Sequence, residues 1–274
     1  MDYSDFRPYF LNVPESTILR MFDATRQYVR AGYATGHIYD THKAPFLALN
    51  VKRRHEAVGT ETVYADTPAV DNGRHAAQIF VGVRTRFVDV YPVRTDGEFV
   101  KVLQDNIRRR GAMDILIADN AKAELSKAVK DVLRHLCIDD WQTKAYYHNQ
   151  AAHECCYHHV KHAVQGILNH TSAPAYTWFL AMKYVCFILI RTSMEFLQWI
   201  TAFAMLMGES PDISMITRFK FWDKVYVKRS ESRGGSASFP SLSNEMEGQF
   251  VGFAEHVSHQ MTYKILLTKT KRVV

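Results

Sequence analysis

Cysteine is scarce and scattered. The 274 residues hold four, Cys137, Cys155, Cys156 and Cys186, and no CxxC pair. Adjacent Cys155 and Cys156 are poorly placed to bond each other. Nothing suggests a disulfide scaffold, and a reduced, intracellular setting is expected. The N-terminal MDYSDFRPYF lacks the apolar core of a secretory leader. Long uncharged hydrophobic runs are missing too. The one membrane candidate, residues 175–207, is interrupted by Lys183, Arg191 and Glu195. The uncharged stretches between and after them are 7, 3 and 12 residues. All fall short of the roughly 18–20 residues a span requires. A buried helix or broken helix pair is expected there, and no membrane partner.

No single sign of charge dominates. Thirty-four Lys and Arg stand against 28 Asp and Glu, a formal charge of +6. That mild basicity suits a polyanionic partner without requiring one. With 47% hydrophobic and 23% charged residues, the chain is globular, of one to two domains.

What is there reads in three parts. Residues 1–60 form a helical lead, PESTILRMFDATRQYVRAGY, and an extended basic linker, HKAPFLALNVKRRHE. Residues 61–205 form a mixed α/β core. ETVYAD, AAQIFVGV and RFVDVYPV are strand-like, and DNGR at 71–74 is a hairpin signal. EFVKVLQDNIRRRG reads as a helix closed by Gly111. MDILIAD, AKAELSKAVKDVLRHL and IDDWQTK then read as strand, helix and strand. Residues 210–274 read as a small β module or barrel, with the Ser- and Gly-rich SESRGGSASFPSLS as a loop. This order is mixed α/β, that of an RNase H-like five-stranded sheet flanked by helices.

In the helix that follows the fifth strand, pairs of small or apolar residues recur every four positions from Ala151/Ala152 to Ile167/Leu168, a core-facing stripe. Glu154, His158 and Lys161 share another face at i, i+4 and i+7. Asp66 and Asp119 end two of the strand-like runs. Asp66, Asp119 and Glu154 lie 53 and 35 residues apart. Two strand-end carboxylates and one on a later helix can converge on divalent cations, and Mg²⁺ favours such hard oxygen donors. An Asp at a strand end also serves as a plain turn or cap residue.

Other features have two readings. His148, His153, His158, His159 and His162 surround Glu154. His153 and His158 are at i, i+5, about 140° apart on a helix, so they cannot chelate as HExxH does. His158 and His162 are at i, i+4, where a His-rich metal site and a solvated helix face are both open. Arg108–Arg110 sit at a helix C-terminus, where the dipole favours them and DNA phosphates could also meet them. Arg218, Lys220 and Lys224 alternate with Phe219, Phe221, Trp222 and Tyr226, a pattern for nucleic acid or for core.

Seven segments occur in an order that resembles the integrase region of copia-type retrotransposons, of the kind found in diatoms and other algae. They are VYADTPA, ILIADNAKAEL, HNQAAHECCYHHVK, APAYTWFLAMKYVCFILIR, GESPDIS, FKFWDKVYV and FVGFAEHVSHQMTYKILLTKTKRVV. The resemblance implies an RNase H-like DDE core in which Asp66, Asp119 and Glu154 hold two Mg²⁺ or Mn²⁺ ions. One ion would activate water or a DNA 3′-hydroxyl, and the other would stabilise the departing oxygen. It implies nucleic-acid contacts from Asn120, Gln150, His158, Lys161, Arg218, Lys220 and Lys224. It implies DNA partners, both element ends and target, a homo-oligomer and a nuclear location. The chain departs from the family where Cys155 and Cys156 follow Glu154 in place of basic residues, which should weaken phosphate contact. Residues 1–60 hold His37, His42 and His55 but no cysteine, so the family's N-terminal zinc module has no counterpart and no zinc is expected there. A decayed copy that at most binds DNA, and a His-rich metalloprotein, are the alternative functions.

Overall fold

The computed structural model describes residues 3–27, 45–118, 126–142, 152–228, 245–255 and 261–274. Strands β1 (Ala57–Tyr64), β2 (Ala76–Gly82) and β3 (Val88–Val93) form an antiparallel meander. Gly73, at φ +67°, lets the Asn72-Gly73 turn close between the first two. Helix α2 (Phe99–Arg110) then crosses over to β4 (Ile115–Ala118), which pairs parallel to β1. Helix α3 (Lys127–His135) leads to β5 (Asp139–Gln142), parallel to β4. The sheet order is β3-β2-β1-β4-β5. This order and these directions are those of the RNase H-like fold.

Strand alternation sorts the side chains onto two faces. Val58, Phe80 and Leu116 pack with Leu103 and Ile107 of α2 and Val129 and Leu133 of α3. Val63, Ala77, Ile79 and Val90 face the opposite way, onto helices α4 (Ala152–Thr171) and α5 (Trp178–Leu189). Gly111 ends α2 at φ +96°, and its N–H donates to the Ile107 carbonyl at 2.8 Å. That is the stop expected from the sequence.

The 173–207 stretch is broken, and the break explains its composition. Helix α5 is apolar and buried at every position but Lys183 because the core surrounds the rest of it. It packs on β3, on α4 and on a second sheet. A short helix, α6 (Ala202–Met207), follows after a turn. Among the described residues no helix is long and apolar enough to cross a membrane.

The second sheet is antiparallel, β6 (Lys224–Lys228), β7 (Glu245–Phe253) and β8 (Tyr263–Leu267) in the order β6-β7-β8. Among the described residues its outer strands do not pair with each other, so they form an open three-stranded sheet. Its apolar face joins the α5 core: Phe187 stacks on Phe253 at 4.3 Å, and Tyr184 on Phe253 at 5.7 Å. Ion pairs bind the same junction. Asp89 of β3 accepts from Arg110 of α2 at 2.8 Å, and Glu255 lies 3.5 Å from Arg191 and 3.7 Å from Arg110.

The basic linker is not a free connector. Arg53 donates to the Leu136 carbonyl at 2.6 Å and pairs with Asp114 at 3.2 Å. Arg54 and Glu56 form a sealed ion pair at 2.6 Å, their side chains 1% and 0% exposed. Thr85 completes the pair, its N–H and hydroxyl each donating to the Glu56 carboxylate at 3.0 Å. Gly82 leaves the room: a Cβ there would stand 2.5–2.7 Å from Thr85 Oγ1 and both Glu56 oxygens.

Breaking a buried pair leaves an uncompensated charge. Glu56→Ala should therefore cost about 3–5 kcal/mol in urea unfolding. A loss below about 1 kcal/mol would show that the pair is not structural.

Candidate metal and nucleic-acid site

The two central strands run parallel in a fixed register, with Ala57 opposite Ile115 and Thr60 opposite Ala118. β1 begins earlier than ETVYAD suggests and ends at Tyr64. Asp66 therefore lies two residues beyond the strand. It is exposed, in a segment pinned on either side: the Ala65 N–H donates to the His75 carbonyl at 2.8 Å, and Trp178 Nε1 donates to the Thr67 carbonyl at 2.9 Å.

The carboxylate that does stand mid-strand is Glu61. Its antiparallel partner is Ile79, and it shares with Val63 the face that meets α4. It lies close enough to Tyr157 of α4 to act on its phenol. Burial raises the Tyr157 pKa, and the Glu61 charge raises it further. Glu154 is half-buried in the first turn of α4, one turn before Tyr157. An acid there is also favoured by the helix dipole. Glu61 thus meets the helix that carries Glu154. The signal that could have found it is the alternation of Gly59, Glu61 and Val63, a charge on an otherwise inward-facing row.

Asp119, Asn120 and Gln150 lie outside the described residues. His158 and Lys161 are exposed on α4, in the row expected. The inward stripe holds at Ala163/Val164 and Ile167/Leu168 and is narrower before them: Cys156 and Val160 pack inward, while Cys155 and His159 are exposed. Burial pushes the Cys156 thiol up to about 11, with Arg86 pulling the other way. Cys156 is therefore a core group and not a reactive thiol. His162 is exposed like His158, and among the described residues no three His, Cys, Asp or Glu come together as a metal-holding group. The carboxylates present are donors of the kind Mg²⁺ takes.

The basic-aromatic stretch divides. Phe221 is buried, and Phe219 and Trp222 pack against the same core. Phe219 lies 5.5 Å from Phe250 and 5.1 Å from Tyr263. These aromatics are core, and only Tyr226 is exposed. Lys220 stands over the Tyr9 ring at 5.2 Å, and Lys224 pairs with Glu247 at 3.0 Å. Arg218 is exposed. The arginines ending α2 are engaged as well, Arg108 with Asp105 at 3.0 Å and Arg109 over Tyr91 at 5.6 Å.

No protein-family model matches the chain, and no curated protein does. Solved structures similar to it include the HTLV-2 integrase catalytic core domain in complex with magnesium, in its trimeric form. It has 12% identity and a TM-score of 0.45, covering 57% of this chain and 97% of that one. The catalytic core domain of BIV integrase is similar at 10% identity and 0.45, covering 56% and 94%. The dimeric form of the HTLV-2 core gives 14% and 0.44, covering 58% and 98%. The strand order is what assigns the fold.

Because the Glu61 charge raises the Tyr157 pKa, Glu61→Gln should lower it. The ultraviolet titration component that is absent in Tyr157→Phe should shift to lower pH in Glu61→Gln. An unmoved component would contradict the placement of Glu61 beside α4.

Proposed function

We propose that the chain is a DNA-integrating polynucleotidyl transferase of the copia type, from an element of the diatom or algal kind. The observation that carries the reading is the ordered run of seven resembling segments on a chain whose strand order is RNase H-like. Asp66, Asp119 and Glu154 are the carboxylates by resemblance. Register adds Glu61: it follows Thr60 on β1 as Asp119 follows Ala118 at the end of β4. By strand alternation Glu61 takes the face that meets α4.

These carboxylates suit two Mg²⁺ or Mn²⁺ ions, which when bound supply Lewis-acid stabilisation of the attacking and leaving oxygens. The chain's own part is to hold Glu61 on β1 and Glu154 on α4, with Asp66 just past the end of β1. It also offers His158 and Lys161, with Asn120 and Gln150, to the phosphates on either side of the scissile bond. Water or a DNA 3′-hydroxyl attacks phosphorus and gives up its proton to solvent, the P–O3′ bond on the far side breaks, and the departing 3′-oxygen takes up a proton from solvent to leave as a hydroxyl. Element ends and target DNA are the partners, a homo-oligomer is the working form, and the nucleus is the location.

A second reading is a drifted copy that binds DNA without turning it over. It is favoured by Cys155 and Cys156, which follow Glu154 where basic side chains should meet phosphate.

A strand-transfer assay with Mg²⁺ or Mn²⁺ separates the two. The active reading expects metal-dependent joining that falls on the order of 10²–10³-fold in Asp119→Asn and Glu154→Gln, since each ligand supports several kcal/mol of charge stabilisation. Loss in Glu61→Gln with retention in Asp66→Asn would identify Glu61 as the β1 ligand, and the reverse would identify Asp66. Joining that survives Asp119→Asn and Glu154→Gln would end the catalytic assignment. DNA binding without joining would establish the drifted copy.

A further inference from the structure

A small cleft opens where the edge of the first sheet meets the second sheet. Its walls are β3 at Val88–Val90, the outer side of α5, β7 at Val251–Phe253, and Lys264 on β8. Its volume is about 110 Å³. At roughly 30 Å³ per water, that is room for a few waters or one tetrahedral oxyanion, and too little for a sugar or a base.

The charges around it are unbalanced. Arg109, Arg110, Lys183 and Lys264 line it against only Asp89 and Glu255. Arg110 is already held by Asp89 at 2.8 Å and reaches Glu255 at 3.7 Å, and Glu255 is shared with Arg191. Both lining acids are therefore committed. Lys183 is half-buried, with the Phe179 ring 4.5 Å from its ammonium. Among the described residues, neither Lys183 nor Lys264 has an ion pair within 4.0 Å. Arg109 lies over Tyr91 at 5.6 Å and is one of the residues that line the cleft. Asp71 is the other acid that faces the two lysines, and it too stays beyond ion-pair distance of both.

We infer that this cleft binds a single phosphate group, held by Lys183 and Lys264 with Arg109. Two lysines and an arginine line a space of one anion's size, and the acids that could neutralise them are engaged or stand off. The Lys183 pKa reflects the imbalance. Burial lowers it, Asp71 opposes, and Lys264 and Arg109 push it down further. A bound phosphate would relieve both burial and repulsion, and lysine suits it as a compact point charge on a flexible stem. The site uses none of the carboxylates on the α4 face. It lies two strand spacings from β1, roughly 10 Å across the sheet. It stands whether or not the chain joins DNA.

The test is binding of inorganic phosphate to the full chain, without divalent metal. Phosphate should raise the melting temperature above chloride at matched ionic strength. Lys183→Met and Lys264→Met should each weaken phosphate binding about tenfold or more by calorimetry. Asp71→Asn, which removes a competing anion, should strengthen it. If Lys183→Met fails to fold by circular dichroism, Lys264→Met on β8 carries the comparison alone. A short fluorescent duplex distinguishes the source. Parallel loss of DNA affinity in the lysine variants marks the phosphate as part of a nucleic-acid backbone, and retained DNA affinity marks it as a free anion. No stabilisation beyond chloride, or phosphate binding unchanged in the lysine variants, would overturn the site.

Discussion

The parallel pairing of β1 with β4 is the constraint on which the rest of the molecule turns. A parallel partner cannot be reached by a tight turn, so α2 must cross over between the meander and β4. That crossover covers one face of the sheet, and α4 and α5 must cover the other. The register then decides which side chains stand together. With Thr60 opposite Ala118, the middle of β1 meets the end of β4, and Glu61 faces the helix that carries Glu154. A slip of one residue would turn Glu61 to the α2 side and bury a charge among Val58, Phe80 and Leu116.

The chain's basic character has a largely structural use. Arg53 and Arg54 fasten the segment before β1, and Arg110 and Arg191 fasten the second sheet to the first through Asp89 and Glu255. A formal charge of +6 therefore says less about an outside partner than it first suggests. The cations left without acidic partners matter more. Among the described residues, Lys161 is exposed on the helix that carries Glu154, and Lys183 and Lys264 line the cleft at the sheet junction.

Legibility in the sequence followed the locality of the cause. Helix α2 was plain because Val102, Leu103 and Ile107 repeat at helical spacing and Gly111 supplies the positive φ that ends it. The β1–β2 hairpin was plain because Asn72-Gly73 carries its own turn chemistry. The start of β1 was not, since Ala57–Thr60 is a short stretch whose strand character comes from β2 and β4, distant in sequence. The apolar alternation of ETVYAD runs past Tyr64, so Asp66 reads as a strand end it does not occupy, and the hidden start makes Glu61 read as the first residue of the strand rather than a mid-strand one. The run around Arg53 and Arg54 looked like a solvated linker because its partner Thr85 lies 29 residues beyond Glu56. Phe219, Phe221 and Trp222 were evenly balanced between core and nucleic acid until β7 and β8 supplied the rings they pack on.

The central claim is that the β1–β4 register and α4 gather carboxylates into one divalent-metal site. Mn²⁺ binding, followed by loss of the free-ion electron paramagnetic resonance signal, tests it without any DNA. The account predicts that the full chain takes up Mn²⁺ and that Glu61→Gln, Asp119→Asn and Glu154→Gln each weaken uptake by about tenfold or more. Uptake that none of the three substitutions alters, or no uptake at all, would contradict it.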